Sequence, residues 1–246
     1  MKNVISLCSS QIGSAHIKEN IPCQDYAYTI RKNGCSCISV ADGAGSAKKA
    51  ETGARIVATV LTKYIAFHFY RILNLANRGQ ATKVLVEEAR KAITKIMVEG
   101  DLMEDYNTTF MAIAVKDKQC IVVHIGDGLT GFEKDGKVGI ITYPINGEYA
   151  NTTYFITGDN AEYMMQCRTV ELKSKSIRLF CLSDGSADLY YNSVFGLRNT
   201  NTLIYCFKEI MKCENQDERL GCLERLLGYI SPRFTADDCS ISVMLL

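Results

Sequence analysis

Strand-like and helix-like hydrophobic patterns alternate along the chain. Residues 26–30 and 35–40 are apolar-rich runs joined by a turn with Asn-Gly at 33–34, which is typical of a β-hairpin. An Asp-Gly step at 135–136 predicts a second hairpin in the same way. Further strand patterns occur at 109–115, 120–125, 130–134, 137–142, 177–182 and 240–246. The chain is therefore rich in antiparallel strands.

Apolar residues at helical spacing mark the longer connections between these strands. From residue 49 to about 75 they predict one long amphipathic helix, and three more helices are predicted around 85–97, 203–211 and 220–230. A doubly wound parallel sheet would need a helix in nearly every connection. We therefore expect an α/β (α+β) fold, a four-layer sandwich of two antiparallel β-sheets flanked by α-helices.

Nothing in the sequence divides the chain into parts. It has 246 residues, only three prolines, and no repeat or low-complexity linker. The hydrophobic fraction of 47% and the charged fraction of 22% are typical of a globular protein with a large core. We expect a single domain over residues 1–246.

Charge and cysteine content limit the partners and the compartment. The net charge of +1 gives no field that would attract nucleic acid or an acidic membrane. Charged residues interrupt the most apolar stretch, 56–75, so we expect no membrane span. The eleven cysteines are an odd number, and the N-terminus lacks a signal-peptide pattern. These features favour reduced thiols and a cytoplasmic location.

Aspartates recur at the ends of the predicted strands: Asp42, Asp127, Asp184 and Asp237, with Asp25 at the start of the first hairpin. A single Asp-Gly step is usually only a turn. Carboxylates gathered at one edge of a sandwich would repel one another unless cations neutralised them, and oxygen ligands favour Mg²⁺, Mn²⁺ or Ca²⁺. The recurrence indicates a hard-metal site, although spacing alone does not show that the strand ends converge.

Five short motifs surround these aspartates in order along the chain. They are Asn20-Ile21-Pro22-Cys23-Gln24-Asp25, Ala41-Asp42-Gly43-Ala44-Gly45, His124-Ile125-Gly126-Asp127-Gly128, Leu182-Ser183-Asp184-Gly185 and Asp237-Asp238-Cys239-Ser240. Together they resemble the motifs of the metal-dependent serine/threonine protein phosphatases of type 2C. The resemblance covers essentially the whole chain and implies a bacterial-type, stand-alone catalytic domain with the four-layer sandwich.

The resemblance implies a centre of two Mn²⁺ or Mg²⁺ ions per chain. Asp42 would bridge the two cations, and the Gly43 carbonyl, Asp184 and Asp237 would complete the catalytic ligand set.

Three further residues of this chain match motif positions of the family. Asp25 would hold a metal-bound water, and Asp127 would bind a third cation together with Asp184. Asp238 stands where the family usually has asparagine and is expected to act from behind the ligands.

The implied reaction is direct hydrolysis of phosphoserine or phosphothreonine in proteins, by attack of a hydroxide that bridges the two cations. Such an enzyme would oppose a serine/threonine kinase, and we expect a monomer. Two alternatives stay open from the sequence. One is a catalytically impaired member that acts as a phosphoprotein-binding or regulatory module, and the other is a small-molecule phosphoesterase.

The sequence departs from the family pattern at three positions. Asn20 stands where many members have a phosphate-binding arginine, Gln24 replaces an acidic residue, and Ala44 replaces a histidine proposed as general acid. Phosphate contacts would then come from Asn20 itself or from Lys18 and His16 nearby. The identity of the general acid is left open.

Overall fold

The computed structural model describes residues 4–145, 153–173 and 176–246. The strands are β1 (Ile5–Gln11), β2 (Asp25–Lys32), β3 (Cys35–Asp42), β4 (Phe110–Lys116), β5 (Gln119–Ile125), β6 (Leu129–Lys134), β7 (Lys137–Thr142), β8 (Gln166–Glu171), β9 (Arg178–Leu182), β10 (Tyr191–Asn192), β11 (Gly196–Leu197) and β12 (Cys239–Leu245). The helices are α1 (Ser14–Glu19), α2 (Ala50–Phe67), α3 (Phe69–Asn77), α4 (Ala81–Thr94), α5 (Ala161–Met164), α6 (Asp184–Ala187), α7 (Thr200–Lys212) and α8 (Gln216–Phe234), with a short 3₁₀ helix at Met103–Tyr106.

Ten of these strands form two five-stranded antiparallel sheets. One has the order β1-β12-β9-β6-β7, and the other has the order β2-β3-β4-β5-β8. Apolar side chains such as Ile38, Ile113 and Met244 fill the space between the sheets. The two sheets therefore share one buried face.

Helices cover the outer face of each sheet. Residues of α2 and α4, such as Leu61 and Leu85, pack with Phe110 of the second sheet. On the other side Phe207 of α7 and Leu227 of α8 pack with Phe180. Helix, sheet, sheet and helix make four layers, which confirms the fold class expected from the sequence.

Both predicted hairpin turns are present. Asn33 and Gly34 have φ of 53° and 76°, and Asp135 and Gly136 have φ of 52° and 76°. Two consecutive left-handed residues match the right-handed twist of the flanking strands, which is why Asn-Gly and Asp-Gly are favoured there.

The single long helix predicted from 49 to 75 is wrong. The chain breaks at His68, and the axes of α2 and α3 differ by 91°. The apolar spacing continues through the break because Ile65, Phe69 and Ile72 are all buried, so the hydrophobic pattern does not reveal the bend. His68 itself is exposed.

Two edge strands were not predicted. β1 and β8 lie at the edges of the two sheets, and most of their residues are partly exposed. Their sequences mix polar and apolar residues, so the strand pattern is weak.

None of the helices that the structure describes is by itself long and apolar enough to cross a membrane. Ala50–Phe67 and Phe69–Asn77 reach the required length and composition only when they are joined across the 91° bend.

Candidate metal centre

The aspartate motifs meet in one cleft at the ends of both sheets. Asp25 and Asp42 face each other as the first and last residues of a paired hairpin. From the other sheet, Asp184 follows β9 and Asp237 precedes β12. The cleft has a volume of about 500 Å³ and is lined by His16, Asp42, Gly43, Asp127, Asp184 and Asp237, among others. The strand ends that carry the aspartates therefore do converge, which sequence spacing alone could not show.

Three carboxylates come especially close together. Asp42, Asp127 and Asp184 each offer an oxygen, and these three oxygens all lie within 4.8 Å of one another. Carboxylates at this separation are unfavourable without a positive charge between them. A divalent cation would supply that charge.

Asp25 lies buried beside this cluster, with 5% of its surface exposed. Its Oδ2 atom has no hydrogen-bond partner among the described residues. Burial and the charge of Asp184 raise the pKa of Asp25 well above its usual range. A buried carboxylate oxygen without a donor is normally satisfied by water or an ion.

The same effects act on the other carboxylates. Burial, followed by the charges of Asp25 and Asp184, raises the pKa of Asp42 well above its usual range. Burial and the charges of Asp127 and Asp237 raise the pKa of Asp184 to about 7. Protons therefore neutralise part of the cluster when no cation is bound.

The backbone at Asp42 is held in place by the two threonines just before β4. The Asp42 amide donates to Thr109 Oγ1 at 3.0 Å, and the Thr108 hydroxyl donates to the Asp42 carbonyl at 2.8 Å. The next residue must be glycine, because a Cβ on Gly43 would lie 2.5 Å from the carbonyl oxygen of Ala50. Gly43 thus lets α2 begin directly behind the cleft.

Asp238 does not face the cleft with its neighbour Asp237. It is 3% exposed, and its carboxylate accepts from the Gly13 amide at 2.7 Å and the Gln24 amide at 2.6 Å. His16 Nδ1 lies 2.9 Å from Asp238 Oδ2. Asp238 therefore ties the start of β12 to the loop after β1 and to the residue before Asp25.

The three predicted phosphate-contact residues lie in different places. His16 lines the cleft, whereas Lys18 and Asn20 are exposed at the end of α1 and are not among its lining residues. No lysine or arginine lines the cleft within the described ranges. Lys48 and Lys49 near the cleft are paired with Asp105 and Asp101.

Sequence reasoning missed several residues that shape the cleft. Thr109 holds Asp42, and Thr153 donates to Asp127 Oδ2 and lines the cleft beside it. Thr109 follows a second threonine at the start of a predicted strand, which gave no signal of a site. Thr153 falls in a stretch without a periodic pattern.

The donor set suits hard divalent cations. Four aspartates supply carboxylate oxygens to the lining, no sulfur lies among its described residues, and the imidazole of His16 is engaged by Asp238 through Nδ1. Oxygen-only sites favour Mg²⁺, Mn²⁺ or Ca²⁺ over zinc or copper. The orphaned Asp25 oxygen and the three clustered carboxylates both fit a bound cation.

Comparisons with known proteins agree with this geometry. Serine/threonine-protein phosphatase 3 of Escherichia coli (strain K12) is 24% identical over 189 residues, which cover 75% of this chain and 74% of the relative. A serine/threonine phosphatase of S. agalactiae superposes with a TM-score of 0.70 at 17% identity, covering 99% of this chain and 100% of that one. The catalytic domain of the serine/threonine protein phosphatase PstP, in complex with 2 manganese ions, has a TM-score of 0.62 at 16% identity and covers 98% of this chain and 97% of its own.

At these identities the solved structures establish the fold. The family model described as Protein phosphatase 2C matches residues 12–228, which is most of the chain and includes four of the five motifs. The chain therefore belongs to the protein phosphatase 2C family of serine/threonine protein phosphatases, a family of hydrolases.

Proposed function

We propose that the aspartate cleft holds at least two Mn²⁺ or Mg²⁺ ions and uses them to hydrolyse phosphoserine and phosphothreonine in proteins. One observation supports this most strongly: three carboxylates lie within 4.8 Å of one another in a cleft whose described lining has no lysine or arginine. Such a cleft repels a phosphate dianion. Bound divalent cations would reverse the sign of the local charge and admit the substrate.

The ligand assignments follow from position. Asp42 and Asp184 come from different sheets and lie together, so they are placed to share cations. The Gly43 carbonyl and Asp237 line the same cleft, and Asp127 offers an additional carboxylate for a third ion. Every proposed ligand comes from one chain, which supports a monomer as the active form.

Asp25 has a different role because it is buried beneath the cleft surface. Its unpartnered Oδ2 oxygen would accept a hydrogen bond from a water held by the cations. Bound cations would neutralise the negative charge of the phosphoryl oxygens and would lower the pKa of a water that they coordinate. The chain's own contribution is to fix the carboxylates on strand ends.

We assign His16 as the side chain that contacts the substrate phosphate. It lines the cleft, and Asp238 holds its Nδ1 atom at 2.9 Å. With that nitrogen engaged, Nε2 is the atom available to a phosphoryl oxygen. Lys18 and Asn20 lie outside the cleft lining, so we assign them no contact with the phosphate.

The test is phosphate release from a phosphothreonine peptide with Mn²⁺, Mg²⁺ or a chelator. Activity should need the cation and should fall by at least about 100-fold in Asp42→Asn and Asp184→Asn, since each removes a charged ligand without changing side-chain size. Asp217→Asn, an exposed aspartate in the first turn of α8, is the matched control and should keep wild-type activity.

Two other outcomes would redirect the assignment. Cation binding without hydrolysis of any phosphoester, in a folded protein, would favour a phosphoprotein-binding module. Faster hydrolysis of free nucleotides than of phosphopeptides would favour a small-molecule phosphoesterase. A kinase partner becomes relevant only if the phosphopeptide is the better substrate.

A further inference from the structure

A pair of thiols lies at the junction of α7 and α8, in the helix layer outside the first sheet. Cys213 caps the C-terminus of α7, and Cys222 lies in the second turn of α8. Their Sγ atoms are 3.7 Å apart. All eleven cysteines are free, so this contact joins two reduced thiols.

Cys222 has an arginine against its sulfur. Arg225, one helical turn further along α8, places Nη2 3.1 Å from Cys222 Sγ. A guanidinium that donates to sulfur stabilises the negative charge that develops on the sulfur during attack on an oxidant. Cys222 is buried, with 5% of its surface exposed, and this contact gives its sulfur a cationic donor inside the apolar helix layer.

The two neighbouring thiols stay protonated. Burial and the hydrogen bond with Cys222 raise the pKa of Cys213. Burial raises the pKa of Cys206 to about 12, and its thiol donates to the carbonyl of Cys222 at 3.7 Å. Cys222 is the thiol of this group with an arginine donor on its sulfur, and Cys213 is the thiol in contact with it.

A groove reaches Cys222 from solvent. It has a volume of about 500 Å³ and opens between α7 and α8. Tyr205, Cys206, Glu209, Cys222, Arg225 and Tyr229 line it. A small oxidant can enter a groove of this size, and none of these residues belongs to the aspartate cleft.

We propose that Cys213 and Cys222 form a reversible thiol–disulfide pair, in which hydrogen peroxide oxidises Cys222 first and Cys213 then closes the disulfide. The Cys222 sulfur gives up its proton and attacks one oxygen of hydrogen peroxide, the O–O bond breaks, and the departing hydroxide takes up a proton and leaves as water. The Cys213 sulfur attacks the resulting sulfenic acid, and a second water leaves. Two thiols lose two electrons, and the peroxide gains them.

Little movement is needed to form the bond. A disulfide requires about 2.05 Å between the sulfurs, so the present pair must approach by roughly 1.6 Å. The backbone at Cys213 is held by Arg219, whose Nη2 donates to its carbonyl at 2.8 Å. With that backbone held, the approach of the two sulfurs would come from rotation of the two side chains.

The chain offers a convenient readout. Trypsin cleaves after Lys212, Arg219 and Arg225, so Cys213 falls in peptide 213–219 and Cys222 in peptide 220–225. Cys206 falls in a third peptide, which ends at Lys208. The linked pair is therefore identified by mass without ambiguity.

The test treats the reduced full-length protein with equimolar hydrogen peroxide. We expect two of the eleven thiols to disappear, a mass loss of about 2 Da, linked peptides 213–219 and 220–225, and full reversal by dithiothreitol. Cys213→Ser should stop at a sulfenic acid on Cys222, trapped by dimedone. Arg225→Gln should slow thiol loss by at least about threefold.

Cys206→Ser is the matched control and should oxidise like the wild type. Dimedone trapping of wild-type protein during the reaction gives the order of oxidation even if a variant fails to fold. Labelling of Cys213 before Cys222, a disulfide between any other pair, or unchanged thiols under these conditions would overturn the proposal.

Discussion

Asp25 lies below the aspartate cleft, opposite Asp42 across the first hairpin, with one oxygen buried and unpartnered among the described residues. In the metal-free protein this carboxyl must be protonated or must face the charge of Asp184. A cation in the cleft would let the Asp25 carboxyl stay ionised and would offset its repulsion by Asp184. Asp25 thus lowers the stability of the metal-free protein and strengthens metal binding.

Asp25→Asn separates these two effects. The neutral amide removes a repulsive charge, so the melting temperature of the metal-free variant should equal or exceed that of the wild type. Its Mn²⁺ affinity should fall by at least about tenfold because an oxygen behind the ligands loses its charge. A thermal melt and a Mn²⁺ titration check this. A lower melting temperature together with unchanged affinity would contradict the role.

Asp238 and Asp237 are adjacent, but their replacement by alanine should cost very different amounts of stability. Asp238→Ala leaves the Gly13 and Gln24 amides without their acceptor, and we expect a loss of about 2–4 kcal/mol in unfolding free energy. Asp237→Ala removes an exposed carboxylate and should cost less than about 1 kcal/mol in the metal-free protein. Urea unfolding of both variants with chelator present measures the difference. Equal losses would refute it.

At the scale of elements, the cleft depends on how closely α2 approaches the end of β3. Gly43 allows this approach because no side chain separates Asp42 from Ala50. The contact links the start of a helix on the outer layer to the principal carboxylate. A shift of the start of α2 must therefore displace Asp42, and a shift of Asp42 must displace the start of α2.

Gly43→Ala tests this link. Its Cβ would lie 2.5 Å from the Ala50 carbonyl oxygen, so either α2 or Asp42 must shift, and Mn²⁺ affinity should fall by at least about tenfold. Gly45→Ala is the matched control, because a Cβ there meets only Gln24 Oε1 at 3.9 Å. Its affinity should stay within about twofold of wild type. Equal affinities for the two variants would argue against the link.

At the scale of the whole molecule, the raised pKa values couple folding to pH. The pKa of Asp184 is about 7 in the folded, metal-free protein and close to its ordinary 3.8 when unfolded. Between these values the folded state binds more protons, so stability falls as pH rises. We expect the melting temperature of the metal-free protein to fall between about pH 4 and pH 7 because of this carboxylate.

Two comparisons isolate the cluster's share of that trend. Asp184→Asn should reduce the slope, and saturating Mn²⁺ should reverse it, because cations bind the ionised carboxylates and compete with protons. Melts with chelator and with Mn²⁺ provide the measurement. A melting temperature that rises with pH equally in wild type and Asp184→Asn, without metal, would count against this electrostatic coupling.

The sequence predicts those parts of the fold that depend on neighbouring residues, and it does not predict those that depend on residues far apart in the chain. Hairpin turns at 33–34 and 135–136 are local, so turn chemistry predicts them. The break at His68 is not, because burial of Phe69 and Ile72 continues the apolar spacing of α2. The break depends on packing of α3 elsewhere, which one-dimensional spacing does not contain.

The candidate site divides in the same way. Aspartates at strand ends are visible in the sequence, and their order along the chain matches that of the family motifs. Convergence of Asp42, Asp127 and Asp184 needs the pairing of strands far apart in the chain. Two further features also depend on tertiary structure, and residue type alone does not predict them. They are the hydrogen bond from the Asp42 amide to Thr109 and the buried position of Asp238.

The heat of Mn²⁺ binding to metal-free protein near neutral pH is the measurement that bears most closely on the metal centre. We expect uptake of at least two ions per chain by the wild type and by Asp217→Asn, and loss of that uptake in the double variant Asp42→Asn/Asp184→Asn. Absence of binding to folded wild-type protein, or equal uptake by the double variant, would contradict the assignment of the aspartate cleft as the metal centre.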